Sequence, residues 1–144
     1  MRLFVALVPP AAPAGPPGES TDAKLPDADA TITATEYSFS SSGLKAGKNT
    51  IRFQNSGGQW HHLIVARIKS GSTIDDVKRL IETEKGPPLE EQNPVETSVL
   101  DGGEEQLTEV DLKSGSYALL CFIPDRAGGP PHVAKGMISE AKVP

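Results

Sequence analysis

The sequence predicts an all-β protein, a Greek-key β-sandwich with one short surface helix around residues 73–85, and three observations carry that expectation. Glycine (14) and proline (13) are plentiful in the 144 residues while aromatics make up only 5%, a balance that suits short strands joined by tight turns. From residue 30 onward apolar side chains recur with a period of two, the spacing of half-buried strands. In "LKSGSYALLC", Leu112, Gly115 and Tyr117 have the spacing of a tyrosine corner, in which the phenol hydrogen-bonds to nearby backbone as the chain enters a core strand. A tyrosine at the rim of any strand has the same spacing, so the corner stands or falls on that hydrogen bond.

Taken in order, residues 1–14, "MRLFVALVPPAAPA", carry one positive charge, an apolar run from Leu3 to Val8, and Ala12 and Ala14 in an A-x-A arrangement. This reads as a signal peptide with a short or truncated apolar stretch, and it implies export to a periplasm or the exterior. Residues 15–29, rich in proline, glycine and polar groups, form the expected disordered tether. One domain is expected over residues 30–144. Its first strands are "ATITATEYSF" and "NTIRFQN", separated by the glycine turn "SSGLKAGK"; "HHLIVARI" continues the sheet. "GSTIDDVKRLIETEKG" then switches to helical spacing, with Ser72 or Thr73 as N-cap, acids in the first turn and Gly86 as a stop. "PPLEEQNPV" is a loop, "TSVLDGGEEQLTEV" a strand, a turn at Gly102 and Gly103, and a strand, and "YALLCFI" and "MISEAKV" are the last strands.

Charge and length narrow the partners. The formal net charge is −5 and becomes −6 without Arg2, the one charged residue of the first fourteen, so nucleic acid is not an expected partner. No stretch reaches the roughly 20 apolar residues of a membrane span, and a monomer without stable membrane insertion is expected. There is no internal repeat.

The chemistry lies in the donors. Cys121 is the only cysteine, and it has no intramolecular disulfide partner; alone, it would as easily be an inert core thiol. The three histidines and the internal methionine change that reading. His61 and His62 open an expected strand, His132 follows Cys121 by eleven residues, and Met137 follows His132 by five. A thiolate, two imidazoles and a thioether form a soft donor set that selects copper when held as a trigonal site with a weak axial methionine, an arrangement that favours electron transfer.

At these residues the chain resembles the cupredoxins, the small plastocyanin-like blue copper proteins, over about residues 30–143. The resemblance rests on "FQNSGGQWHHLIV", where an asparagine and glycines precede the histidine, on "GSYALLC", with Tyr117 four before Cys121, and on "HVAKGMISEAKV", with its His-x₄-Met spacing and following strand. It implies a single copper held by His61, Cys121, His132 and Met137, and a one-electron carrier, not a catalyst, serving a protein redox partner that the sequence does not identify. Between the paired histidines, alternation puts His61 on the face of Leu63 and Val65 and His62 on the face of Ile64. The resemblance favours His61 as the ligand, with His62 at the surface or behind it and Asn55 bracing the loop.

One departure from the family pattern is the ten-residue interval "FIPDRAGGPP" between Cys121 and His132. Its turn-prone composition implies a loop that bulges out and returns. In an electron shuttle it would be clamped by its prolines and by Phe122 and Ile123, with His132 at an apolar surface. A copper carrier whose loop opens to exchange metal, or a metal-free domain that only binds a partner, are the alternatives. A cysteine hydrolase does not fit, because Cys121 follows a core strand. Multicopper oxidases need more histidines and binuclear copper sites a second cysteine.

Overall fold

The structure is a computed structural model that describes residues 25–83, 89 and 94–144. The expected signal peptide, most of the expected tether, the Gly86 helix stop and most of the 87–95 loop lie outside the described residues. Among the described residues, ten strands, one α-helix and one 3-10 turn follow in order: β1 (Ala30–Thr35), β2 (Ser38–Ser42), β3 (Gly47–Asn55), β4 (Ile64–Arg67), α1 (Ile74–Thr83), β5 (Val95–Glu96), β6 (Glu105–Leu112), β7 (Gly115–Leu120), β8 (Pro124–Asp125), β9 (Gly128–Pro131), the 3-10 turn His132–Lys135, and β10 (Ile138–Val143).

Two four-stranded sheets, ordered β2-β1-β3-β6 and β10-β7-β4-β5, face each other, and β8 and β9 form a separate hairpin. The first sheet is mixed, since β1 and β3 run parallel with Ile32 opposite Phe53. Alternation along each strand sends Ile32, Phe53 and Val110 from one sheet and Val65, Leu119 and Ala141 from the other into a shared core. The second sheet is covered on its outer face too. There Ala118, Leu120 and Ile138 pack with Val77 of α1 and Val133. Strand β7 is therefore buried on both sides, which is why "YALL" reads as an unbroken apolar run.

Helix α1 begins at Ile74, behind a Thr73 cap. The Asp76 N–H donates to Thr73 Oγ1 (3.2 Å) and the Thr73 N–H donates to Asp76 Oδ2 (2.9 Å), a reciprocal box that satisfies two otherwise unpaired donors. The tyrosine corner has its bond: Tyr117 Oη accepts from the Lys113 N–H and donates to the Lys113 carbonyl, both at 2.9 Å.

Two expected strands are shorter than the sequence suggested. Strand β7 ends at Leu120, because its partners Ile64 and Ile138 are the first residues of β4 and β10, and Cys121–Ile123 lie beyond the ladder. For the same reason β4 starts at Ile64, and His61 is held by an isolated bridge to Leu100. The pairing directions put the ends of β1, β3, β5 and β7 and the starts of β2, β4, β6 and β10 at one end of the sandwich. Four connections meet there: residues 36–37, 56–63, 97–104 and 121–137.

Candidate metal centre

Two of those connections supply the three donors, residues 56–63 giving His61 and residues 121–137 giving both Cys121 and His132. His61 exchanges two backbone hydrogen bonds with Leu100 (3.0 and 2.8 Å). Behind this bridge stands Asn55, whose Nδ2 donates to the carbonyls of Leu100 and Gln59, both at 2.8 Å, while its Oδ1 accepts the Gly57 N–H at 2.9 Å. This is the bracing role expected of it. Cys121 sits one residue past β7 and continues its inward face after Tyr117 and Leu119, all in one core cluster. His132 opens the 3-10 turn, and its N–H donates to the Ile123 carbonyl at 2.9 Å.

The long interval that brings His132 back is a hairpin. Strands β8 and β9 pair antiparallel with an irregular register, and Gly128 and Gly129 take φ of 98° and 106°, values that a residue with a Cβ adopts only under strain. The hairpin is fastened from outside: Trp60 Nε1 donates to the Pro124 carbonyl (2.8 Å) and the Arg126 N–H to Gln59 Oε1 (2.9 Å). The Arg126 guanidinium pairs with Asp101 and lies 5.1 Å from the centre of the Trp60 ring. Ile123 packs on the core as expected, whereas Phe122 is 41% exposed. Its side chain points away from the core because Cys121 before it points in.

His61, Cys121 and His132 converge, with one ligand atom of each within 4.8 Å of the others. The two Nδ1 atoms are 3.1 Å apart, and Cys121 Sγ lies 3.9 Å from that of His61 and 3.5 Å from that of His132. All three residues have no solvent exposure. His132 was expected at an apolar surface; instead its outer edge is covered by the hairpin.

The outer nitrogens decide what the inner ones offer. His61 Nε2 lies 3.0 Å from Glu36 Oε2 and His132 Nε2 lies 2.8 Å from Asp125 Oδ1. Burial raises the Glu36 carboxyl, but hydrogen bonds from the Gly58 and Gln59 backbone and from His61 outweigh it and hold its pKa below the usual value. Hydrogen bonds from Lys135 and then His132 hold Asp125 down to about 2. An ionised carboxylate only accepts, so each Nε2 carries a proton. Burial lowers the His61 pKa, against an opposing hydrogen bond from Glu36, which favours the neutral ring. A ring protonated at Nε2 alone leaves its Nδ1 lone pair free, and the two Nδ1 atoms face one another and the Cys121 sulfur. Two lone pairs at 3.1 Å repel unless a cation lies between them, and this donor set fits a metal ion. Burial pushes the Cys121 thiol up, so a metal must displace its proton on binding.

Met137, also fully buried, follows Gly136 at the end of the 3-10 turn, and its N–H donates to the His132 carbonyl at 3.1 Å. His62 is not at the surface. It is buried, its Nε2 accepts the Phe122 N–H at 3.0 Å, and it thereby holds the backbone next to Cys121. Glu36 and Asp125 escaped the sequence reading. Glu36 read as a strand residue twenty-five positions from its histidine, and Asp125 as one more polar group in a turn; only the pairing of distant segments reveals them.

No family model matches the chain, and no curated protein matches it. Among solved structures the chain is similar to sodium-dithionite-reduced auracyanin from the photosynthetic bacterium Roseiflexus castenholzii, at 21% identity and a TM-score of 0.49 over 79% of this chain and 94% of that one. It is also similar to auracyanin B, at 20% identity and a TM-score of 0.48 over 79% and 86% of the respective chains. These likenesses carry no weight in assigning the site. The chain's own strand order gives the β-sandwich expected from the sequence, with three buried donors at one end.

Proposed function

We propose that this chain is an exported one-electron carrier in which His61 Nδ1, Cys121 Sγ and His132 Nδ1 would hold one copper ion, with Met137 as a further, weak donor. The observation that carries the reading is the convergence of two Nδ1 lone pairs and one sulfur in a space closed to solvent. A His₂Cys set with a weak thioether donor suits copper in both of its oxidation states, and the ion would supply the one-electron change. The chain's part is to keep its donors from moving. His61 is bridged to Leu100, Cys121 is set by β7, and the hairpin before His132 is tied by Trp60, Gln59, Asp101 and Asp125. A loop so fastened supports a shuttle over a carrier that opens to exchange metal. The segment "MRLFVALVPPAAPA" supports export, and among the described residues no helix is long and apolar enough to cross a membrane. A protein redox partner follows from the shuttle reading.

Metal analysis after loading tests the binding: one copper per chain is expected, with zinc as a substitute acquired during expression. Chelator competition and electron exchange with a small redox reagent then test the function. Slow loss of copper(I) with fast reversible exchange supports the shuttle. Rapid loss without reversible cycling would establish the carrier.

A further inference from the structure

We propose that Glu36 and Asp125 are positioning residues of the metal centre, each holding one histidine with Nδ1 turned inward and its Nε2–H closed off. The inference rests on the metal-binding reading above. Neither carboxylate belongs to the donor triangle; each acts through a ring.

Both are anchored in their turn. In the connection between β1 and β2, Glu36 Oε1 accepts the Gly58 N–H and Oε2 the Gln59 N–H, each at 2.9 Å, besides the His61 ring. Gly57 makes this approach possible, since a Cβ there would overlap the Glu36 carboxylate. On the hairpin, Asp125 Oδ1 accepts from His132 and from Tyr37 Oη (3.0 Å), and Oδ2 accepts from Lys135 Nζ (2.8 Å). Tyr37 also sets its ring 5.1 Å from that of His132. The consecutive residues Glu36 and Tyr37 thus reach both histidines from a single turn, one directly and one through Asp125.

A ring bonded through Nε2 to an anchored carboxylate cannot flip or swing without breaking a charge-assisted hydrogen bond. The constraint matters most for His132, which follows the long hairpin. Partners of this kind set the tautomer and orientation of a metal-binding histidine, and their loss commonly weakens metal affinity ten- to a hundredfold.

The test compares Asp125→Ala, Asp125→Asn, Glu36→Ala and Glu36→Gln with the unaltered chain by copper(I) chelator competition. Pulsed EPR of the copper(II) forms then reads the remote nitrogen of each bound imidazole, whose quadrupole signal follows the hydrogen bond at Nε2 and is not moved by a loss of stability alone. The alanine variants are expected to bind copper(I) about ten- to a hundredfold more weakly. The amide variants should recover part of this, because an amide oxygen still accepts from Nε2–H. The remote-nitrogen signal of one histidine should shift in the Asp125 variants and that of the other in the Glu36 variants. If an alanine variant fails to fold, the amide variant decides by the same signal. Affinities within about twofold and unchanged remote-nitrogen signals, with copper bound normally by the unaltered chain, would overturn the positioning role and leave the metal centre standing. Failure of the unaltered chain to bind copper would overturn both.

Discussion

Replacing Asn55 with alanine should destabilise the protein and loosen the His61 segment together. The side chain is 1% exposed and makes three hydrogen bonds, to the Leu100 and Gln59 carbonyls and from the Gly57 N–H. Alanine leaves all three backbone groups without that partner. The Leu100 carbonyl keeps the His61 N–H as a partner, so each of the three lost bonds is worth about 0.5–1.5 kcal/mol. A loss of about 3 kcal/mol follows for the metal-free protein, measured by urea denaturation. The Leu100 carbonyl and N–H also hold the His61 backbone, so copper(II) bound to the variant should give an EPR spectrum with broader, more heterogeneous parameters. Asn55→Asp is the sharper control. It keeps the acceptor for Gly57 but turns an oxygen toward two carbonyl oxygens, so it should be at least as destabilising at neutral pH. A cost below about 1 kcal/mol for Asn55→Ala, with an unchanged EPR spectrum, would refute the reasoning that this side chain supports the His61 segment.

Three further expectations follow from the same contacts. Tyr117→Phe removes the corner hydroxyl and its two bonds to Lys113 and should lower unfolding stability by about 1–1.5 kcal/mol, with metal binding retained. Met137→Leu fills the same buried volume at a cost below about 1.5 kcal/mol, so voltammetry should find copper still bound at a shifted potential. Burial depresses the His62 pKa below 6.5, with Glu96 opposing it, so the stability contributed by the neutral ring is full above pH 6.5 and is lost as pH falls through the depressed folded value. Metal-free wild type should therefore lose stability relative to His62→Gln on acidification below pH 6.5, as read by denaturation at a series of pH values.

Of the residues that converge, His61 and Cys121 were placed by local pattern, and His132 by its spacing after Cys121 and the family resemblance. Alternation placed His61 with Leu63 and Val65, and all three are buried; Cys121 continued the inward face of a strand whose apolar run was plain. The ends of the strands were not legible, since a ladder stops where its partner stops, and Ile64 and Ile138 fix the end of β7 from distant parts of the chain. The hairpin at residues 124–131 was read as a turn-prone bulge, but its fastening depends on Trp60, Gln59 and Asp101, whose side chains gave no sign of facing it. Alternation turns His62 away from Leu63 and Val65 and left it either at the surface or behind the site. What alternation could not supply was the backbone N–H of Phe122 arriving to bond its ring.

The central claim, a thiolate and two imidazoles sharing one copper, is tested most directly by the visible absorption of the copper(II)-loaded protein beside that of Cys121→Ser. An intense thiolate-to-copper charge-transfer band in the unaltered chain, absent from the serine variant, is the expected result. A colourless copper-loaded protein, or a band that survives in Cys121→Ser, would contradict the claim.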